Sequence, residues 1–222
     1  MKLGIFSDIH GNMLFFNAVL KALREKGAER LFFLGDAVSY YPNGNDVLTI
    51  LREQGITCIE GNHDSMLRGE FPIPQKNDAV YQLTRSLPTF SEENMAFIRT
   101  WPDIRKEVID GKRIAFVHGS PENHLKGYSY ENTEMVNYDD PEMDYLFMGH
   151  THRPWMRKNA HTTVINVGSA GLPRDKGCSP SFAFLDTLTG EATLERIEVD
   201  PSPILRNPGS IHEDVLNALL RE

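Results

Sequence analysis

Short apolar runs that stop abruptly at polar residues set the rhythm of this chain. Residues 3–6 are apolar and end at Ser7-Asp8, which predicts a buried strand running into a loop. Asn12 can cap a following helix in which Met13, Phe16, Leu20 and Leu23 share one face, and Gly27 stops it. Residues 31–34 predict the second strand, ending at Gly35-Asp36. A turn-rich loop over 40–44 and a helix over about 46–54 follow, the helix closed by Gly55. Residues 57–60 predict the third strand, ending at Gly61-Asn62-His63-Asp64. Strand, helix, strand, helix, strand predicts right-handed crossovers and parallel pairing.

Beyond residue 70 the rhythm changes. Residues 71–74 read Phe-Pro-Ile-Pro, a rigid loop, and helices are expected over 78–86 and 91–99. Residues 104–109 and 113–117 flank Asp110-Gly111, a strong hairpin signal. A strand over 145–148 ends at Gly149-His150. Further strands are expected over 155–157, 162–167, 182–185 and 192–199, the last two paired around Thr189-Gly190. Ser210 and Glu213 suggest a capping box for a terminal helix over 211–220. The segment 123–142, rich in Asn, Tyr and acids, reads as a loop or lid insertion. A single domain over 1–222, with residues 210–222 as a C-terminal helix, fits the length.

Composition narrows the partners. The 222 residues carry 23 basic and 31 acidic side chains, a net charge of −8, with no Lys/Arg run. That argues against a grip on long nucleic acid, and leaves small phosphorylated substrates, nucleotides among them. No apolar run approaches the ~20 residues that span a bilayer, so no membrane partner is expected. The two cysteines, Cys58 and Cys178, do not make a disulfide framework, and residues 2–6 read as strand rather than leader; both point to the cytoplasm. A homo-oligomer is compatible with all of this.

The chemistry lies where the apolar runs end. Asp8 and His10 follow the first strand, Asp36 the second, Asn62 and His63 the third, His118 the strand after the hairpin, and His150 and His152 the next. Strand carboxyl ends share an edge in open α/β sheets, so these groups are expected to converge, and five of the eight histidines are among them. Carboxylates and imidazoles without thiolates suit Mn²⁺ or Fe, with Zn²⁺, Ni²⁺ or Co²⁺ as alternatives, and disfavour a structural zinc site. In a centre of two divalent ions one carboxylate must bridge, and Asp36, which stands alone between the other groups, is the candidate. Asn62 offers a neutral amide oxygen. The spacing in Asp8-x-His10 and His150-x-His152 would place each pair on one side of an extended segment.

Each residue alone has a plainer reading. Asp8 could cap the first helix, Asp36 could end a strand, His10 could be a loop residue and His118 a core residue. The Gly-Asn-His-Asp run could be only a turn. Asn12 could cap or touch substrate, Arg174 could clamp a phosphate or form a surface ion pair, and Tyr40 and Tyr41 could stack on a base or pack on their own scaffold. His124, His161 and His212 have no motif context and read as surface residues. Met135, Met143 and Met148 suggest no cofactor.

Taken together, Asp8-Ile9-His10, Gly35-Asp36, Gly61-Asn62-His63-Asp64, His118-Gly119 and Gly149-His150-Thr151-His152 resemble the calcineurin-like metallophosphoesterase superfamily. Residues 35–38 with Tyr40 and Pro42, residues 118–121 and residues 166–174 resemble its YfcE-type phosphodiesterase and diadenosine-polyphosphate hydrolase branch. The resemblance implies an α/β fold, a four-layer α-β-β-α sandwich of two mixed sheets flanked by helices. It implies that Asp8, His10 and His152 hold one ion, Asn62, His118 and His150 the other, and Asp36 both. His63 would face the scissile phosphate, with Asp64 orienting its imidazole. The implied reaction is phosphodiester or phosphomonoester hydrolysis by attack of a metal-bridging hydroxide. A dinucleoside polyphosphate hydrolase is one alternative, and a non-catalytic scaffold of the same fold is another. Near Ser39 and Tyr41 the chain departs from the branch, where Gly is commoner.

Overall fold

The computed structural model describes residues 1–134 and 138–222; residues 135–137 of the expected insertion, Met135 among them, lie outside the described residues. The first apolar runs form β1 (Lys2–Phe6), β2 (Arg30–Phe33) and β3 (Thr57–Cys58), joined by helices α1 (Met13–Glu25) and α2 (Gly44–Glu53). β1 pairs parallel with β2 and β2 with β3, as the alternation predicts. The third strand is shorter than expected. Ile59 N–H still reaches Phe33 O at 3.0 Å, but Glu60 N–H turns away to Pro102 O at 2.8 Å.

After β3 come α3 (Asn62–Leu67), α4 (Gln75–Tyr81), α5 (Leu83–Ser86) and α6 (Glu92–Ile98). The helix expected over 78–86 is broken in two, because Gln82 takes a left-handed φ of 58°. The hairpin β4 (Ile104–Ile109) and β5 (Lys112–Val117) turns through Asp110 and Gly111, both at positive φ (49° and 77°), as a two-residue turn of this twist requires. β6 (Tyr145–Met148), β7 (Trp155–Lys158), β8 (Thr163–Asn166), β9 (Ser181–Asp186) and β10 (Glu191–Arg196) complete two five-stranded mixed sheets, ordered β10-β9-β1-β2-β3 and β4-β5-β6-β8-β7. Two helices, α7 (Ser202–Arg206) and α8 (Glu213–Leu219), follow. The last is shorter than expected and is capped by His212, whose Nδ1 accepts Asp214 N–H at 3.2 Å, so the Ser210/Glu213 box does not form.

The sheets face each other across an apolar layer. Leu3, Ile5 and Phe32 from one meet Ile114, Phe116, Phe147 and Ile165 from the other, with Phe32 and Phe116 stacked at 4.3 Å. The outer face of the first sheet packs Phe6 and Phe33 against Phe16 and Leu20 of α1 and Val47 and Leu51 of α2. The outer face of the second packs Val117, Leu146 and Val164 against Tyr138 and Met143, from the connection between β5 and β6. Burial of these side chains, ~1.5–3 kcal/mol for each large one, fixes both sheets rigidly. The loops after β1, β2, β3, β5 and β6 are thereby held at one edge. Among the described residues no helix is long and apolar enough to cross a membrane.

Candidate metal centre

At that edge the backbone is unusual before any side chain is considered. Asp8, His10, Asp36, His150 and His152 all have φ between 53° and 65°, in the left-handed region that residues with a Cβ rarely adopt. The pairs Asp8-x-His10 and His150-x-His152 are therefore not extended, contrary to the sequence expectation. Their side chains converge because both members of each pair are left-handed. Neighbouring loops lock this conformation: Asp8 N–H donates to Gly35 O (2.9 Å), His10 N–H to Asp36 O (3.0 Å) and His150 N–H to Asp8 Oδ2 (3.0 Å). The approach is so close that a Cβ on Gly61 would run into the Asp36 carboxylate, and one on Gly149 into Ser7 and Asp8.

The side chains gather in two adjoining clusters. In the first, His152 Nε2 lies 3.1 Å from Asp8 Oδ1 and 3.1 Å from His10 Nε2, and His10 Nε2 lies 3.6 Å from Asp8 Oδ1. In the second, His118 Nε2 lies 3.2 Å from Asn62 Oδ1, 3.2 Å from His150 Nδ1 and 3.3 Å from Asp36 Oδ2. Asp36 Oδ2 is also 3.8 Å from His10 Nε2, so it stands between the clusters. Ligand atoms ~2.0–2.2 Å from one ion at tetrahedral or octahedral angles lie roughly 3.0–3.6 Å apart, the spacing seen here.

The tautomers suit ion binding. Nδ1 of His10, His118 and His152 each faces a backbone carbonyl, of Val38 (3.0 Å), Leu34 (2.8 Å) and Leu172 (2.6 Å). In the neutral ring a proton on Nδ1 leaves each Nε2 lone pair aimed into the centre, and His118, which its carboxylate neighbours keep protonated, must first give up its second proton. Two such lone pairs meeting at 3.1 Å, and an Asp8 Oδ1 buried with no hydrogen-bond partner, are the donor set a cation satisfies.

Electrostatics agree. Burial disfavours ionised Asp8 and Asp36, yet the surrounding imidazoles outweigh it and hold both carboxyls well below the usual range. Burial also works against charge on His118, but Asp36 and Asp8 push it up to about 10. Burial, with His118 nearby, takes His150 down to about 3; burial, with Arg174 nearby, takes His152 down to about 4.

His63 lies beside both clusters, near enough to His10 and Asp36 to form a third group of possible metal donors, with its ring 5.1 Å from that of His10 and 4.5 Å from that of Tyr81. Burial lowers it to about 3, and its Nδ1 is buried without a partner. Asp64 does not orient it. Asp64 lies in the first turn of α3 and accepts backbone N–H groups from Asp36 (2.7 Å), Ala37 (3.0 Å) and Gly61 (3.0 Å), tying the second and third loops together. Burial and the Asp36 charge push its carboxyl up to about 8, against the pull of those bonds.

Asn12 is engaged at both ends: Oδ1 caps α1 through Phe15 N–H (3.2 Å) and Nδ2 donates to Gly171 O (2.7 Å). Arg174 is half-buried beside the first cluster, its charge felt by Tyr40, Asp8 and His152. Tyr40 packs edge-on to His10 at 4.7 Å. His124 and His161 pair with Asp103 and Asp139 away from the centre. Sequence reasoning assigned no role to Tyr81 or Tyr128, which contact His63 and His150, or to Ser169, whose hydroxyl binds Asp8 O; only the motif over 166–174 signalled the last.

Residues 1–190 match the calcineurin-like phosphoesterase superfamily domain. The chain belongs to that superfamily. The chain is accordingly a metal-dependent phosphoric ester hydrolase, and it carries His/Asp groups able to hold metal. It is 28% identical over 214 residues to an uncharacterised protein of Methanocaldococcus jannaschii, covering 89% of this chain and 88% of that one. Phosphodiesterase YfcE of Escherichia coli is 26% identical over 219 residues, covering 90% and 100%. Among solved structures, a metallophosphoesterase from Sphaerobacter thermophilus superposes with a TM-score of 0.79 at 24% identity, covering 99% and 98%. A hypothetical protein from Pyrococcus horikoshii reaches 0.85 at 21%, covering 98% and 97%, and both structures bear on the fold alone.

Proposed function

We propose that this chain hydrolyses a phosphodiester or phosphomonoester at a centre of two divalent ions. Asp8, His10 and His152 hold the first, Asn62, His118 and His150 the second, and Asp36 both. The observation that carries this is the position of Asp36 Oδ2, within 3.3 Å of His118 Nε2 and 3.8 Å of His10 Nε2. The donor set of oxygens and imidazoles favours Mn²⁺ or Fe. When bound, the ions supply a nucleophile from water at neutral pH and counter the charge of the phosphoryl oxygens.

The chain's own residues do the rest. Asp64 holds the Gly35–Asp36 and Gly61–Asn62 turns in register, so that the donors do not have to reorganise. Arg174 adds a guanidinium beside the first cluster, where a phosphoryl oxygen can take it as a partner. His63 is neutral in the buried, substrate-free site, and its ring nitrogen without a protein partner is free to meet a substrate oxygen.

A panel of p-nitrophenyl phosphate, bis(p-nitrophenyl) phosphate and dinucleoside polyphosphates, run on Mn²⁺-loaded protein, tests the class. His63→Ala is expected to keep its metal content while turnover falls roughly 10²–10⁴-fold. Metal loss in that variant equal to that of Asp36→Asn refutes the assignment of His63 as a non-ligand.

A further inference from the structure

Two large aromatic side chains stay in solvent beside an otherwise sealed centre. Tyr128 and Tyr130 are 55% and 41% exposed. The Tyr128 ring lies 4.3 Å from that of His150, and the Tyr130 ring lies 6.2 Å from that of Tyr128 and within 18° of parallel. Three rings thus step outward from the second donor cluster. They end at a cleft of about 920 Å³ bounded by Tyr130, Arg153, Trp155 and Arg157.

The loop that carries these rings is anchored from beneath. Trp155 Nε1 donates to Ser129 O at 3.0 Å, Tyr130 N–H to Thr133 Oγ1 at 2.7 Å, and Arg157 to the carbonyls of Thr133 and Glu131. Ser129, between the two tyrosines, is fully buried. A backbone held this firmly while both rings face water is preorganised for a flat ligand, with little ordering left to oppose binding. Charge on the cleft wall is mixed: Asp175 is paired with Arg196, while Glu131 and Arg153 are both exposed there.

We infer that this ladder and cleft form the subsite for the ester group of the substrate, and that the group is a nucleoside. The inference rests on the phosphoesterase reading of the same site. With phosphorus at the donor clusters, a ribose carries the base past Tyr128 to the Tyr130 ring. A single ring attached directly to phosphate, or a small aliphatic alcohol, does not extend so far. Stacking on tyrosine tolerates any base, because every base presents a π-face. Arg153 is placed to meet a further phosphate beyond the base or between two nucleosides.

Calorimetry of AMP and ribose 5-phosphate binding to Mn²⁺-loaded protein isolates the base. The wild type is expected to bind AMP about tenfold or more tighter than ribose 5-phosphate, and Tyr130→Leu to remove most of that preference, as stacking energies imply. Equal affinity for the two ligands, or a preference unchanged in Tyr130→Leu, overturns the inference. Protein that cleaves p-nitrophenyl esters yet shows that equality retains the phosphoesterase reading and loses the nucleoside subsite. Protein that prefers AMP through Tyr130 but cleaves no ester retains the subsite and loses the catalytic reading.

Discussion

The two donor clusters share Asp36 but are built differently. In the first, Asp8, His10 and His152 are all within 2% of full burial, and both imidazoles are pinned at Nδ1 by carbonyls. The Asp8 carbonyl is itself held by the Ser169 hydroxyl at 2.7 Å. In the second, only His118 is pinned in this way, through Leu34 O. His150 turns its Nδ1 inward, its Nε2 has no partner, and its ring lies against exposed Tyr128. One of the remaining donors, Asn62, is a neutral amide. The first cluster is therefore the more tightly held, and the second is the looser. Rigid, charged pockets hold ions tightly, whereas a pocket with a neutral donor and an unpinned imidazole exchanges its ion more readily.

The largest expected effect is the one that erases this contrast. Asp36→Asn removes the charge both pockets share, so both ions should be lost and turnover should fall roughly 10³-fold or more, given the several kcal/mol that bound ions contribute to the transition state. His150→Ala should instead leave one ion per chain. Elemental analysis of the two variants after dialysis decides: loss of both ions from His150→Ala would show that the pockets do not fill independently.

A smaller effect distinguishes the pockets by their protons. His118, held up to about 10 by Asp36 and Asp8 against its burial, carries a proton at neutral pH, whereas burial keeps His152 of the first pocket down to about 4. Filling the second pocket must displace the His118 proton. Its affinity for Mn²⁺ should rise about tenfold per pH unit below that value, with one proton released. In the first pocket His152, kept low by burial, should release no proton of its own near neutrality. Calorimetric titration in buffers of different ionisation enthalpy measures the release, and identical proton counts for both ions would remove the distinction.

Most of the centre could be read from sequence because each donor follows an apolar strand, and an ionisable side chain there is buried by the fold whether or not it is used. What could not be read is how the donors are aimed. Asp8, His10, Asp36, His150 and His152 owe their convergence to left-handed backbone, which Asp and His adopt more readily than most residues but which their identity alone does not assign. The resemblance implied that Asp64 orients the His63 imidazole, whereas its place in the first turn of α3 sends the carboxylate back to the loop N–H groups. The end of β3 at Cys58 and the break at Gln82 are likewise decided by distant partners: Pro102 O, which takes Glu60 N–H, and Ser210 O, which takes the Gln82 amide. Local propensity cannot anticipate either.

The smallest effect tests whether the first pocket's rigidity comes from Ser169. Its hydroxyl donates to Asp8 O at 2.7 Å and accepts Leu172 N–H at 2.7 Å and Gly171 N–H at 3.2 Å, all in the buried interior. It thus joins the backbone of one proposed ligand, Asp8, to the residue whose carbonyl orients another, His152. Ser169→Ala leaves these groups short of a partner, a cost of about 1–3 kcal/mol. For a chain of this size that corresponds to a melting temperature lower by about 2–12 °C. The backbone bonds from Ala170 N–H to Ser7 O and from Gly171 N–H to Asp8 O remain, so the fold survives. Because the loosened bonds lie only behind Asp8 and His152, affinity for the first ion should fall about tenfold, at the low end for partners behind metal ligands, while the second ion is bound as before. If the second ion weakens as much as the first, the rigidity belongs to the whole edge of the two sheets and not to this hydroxyl.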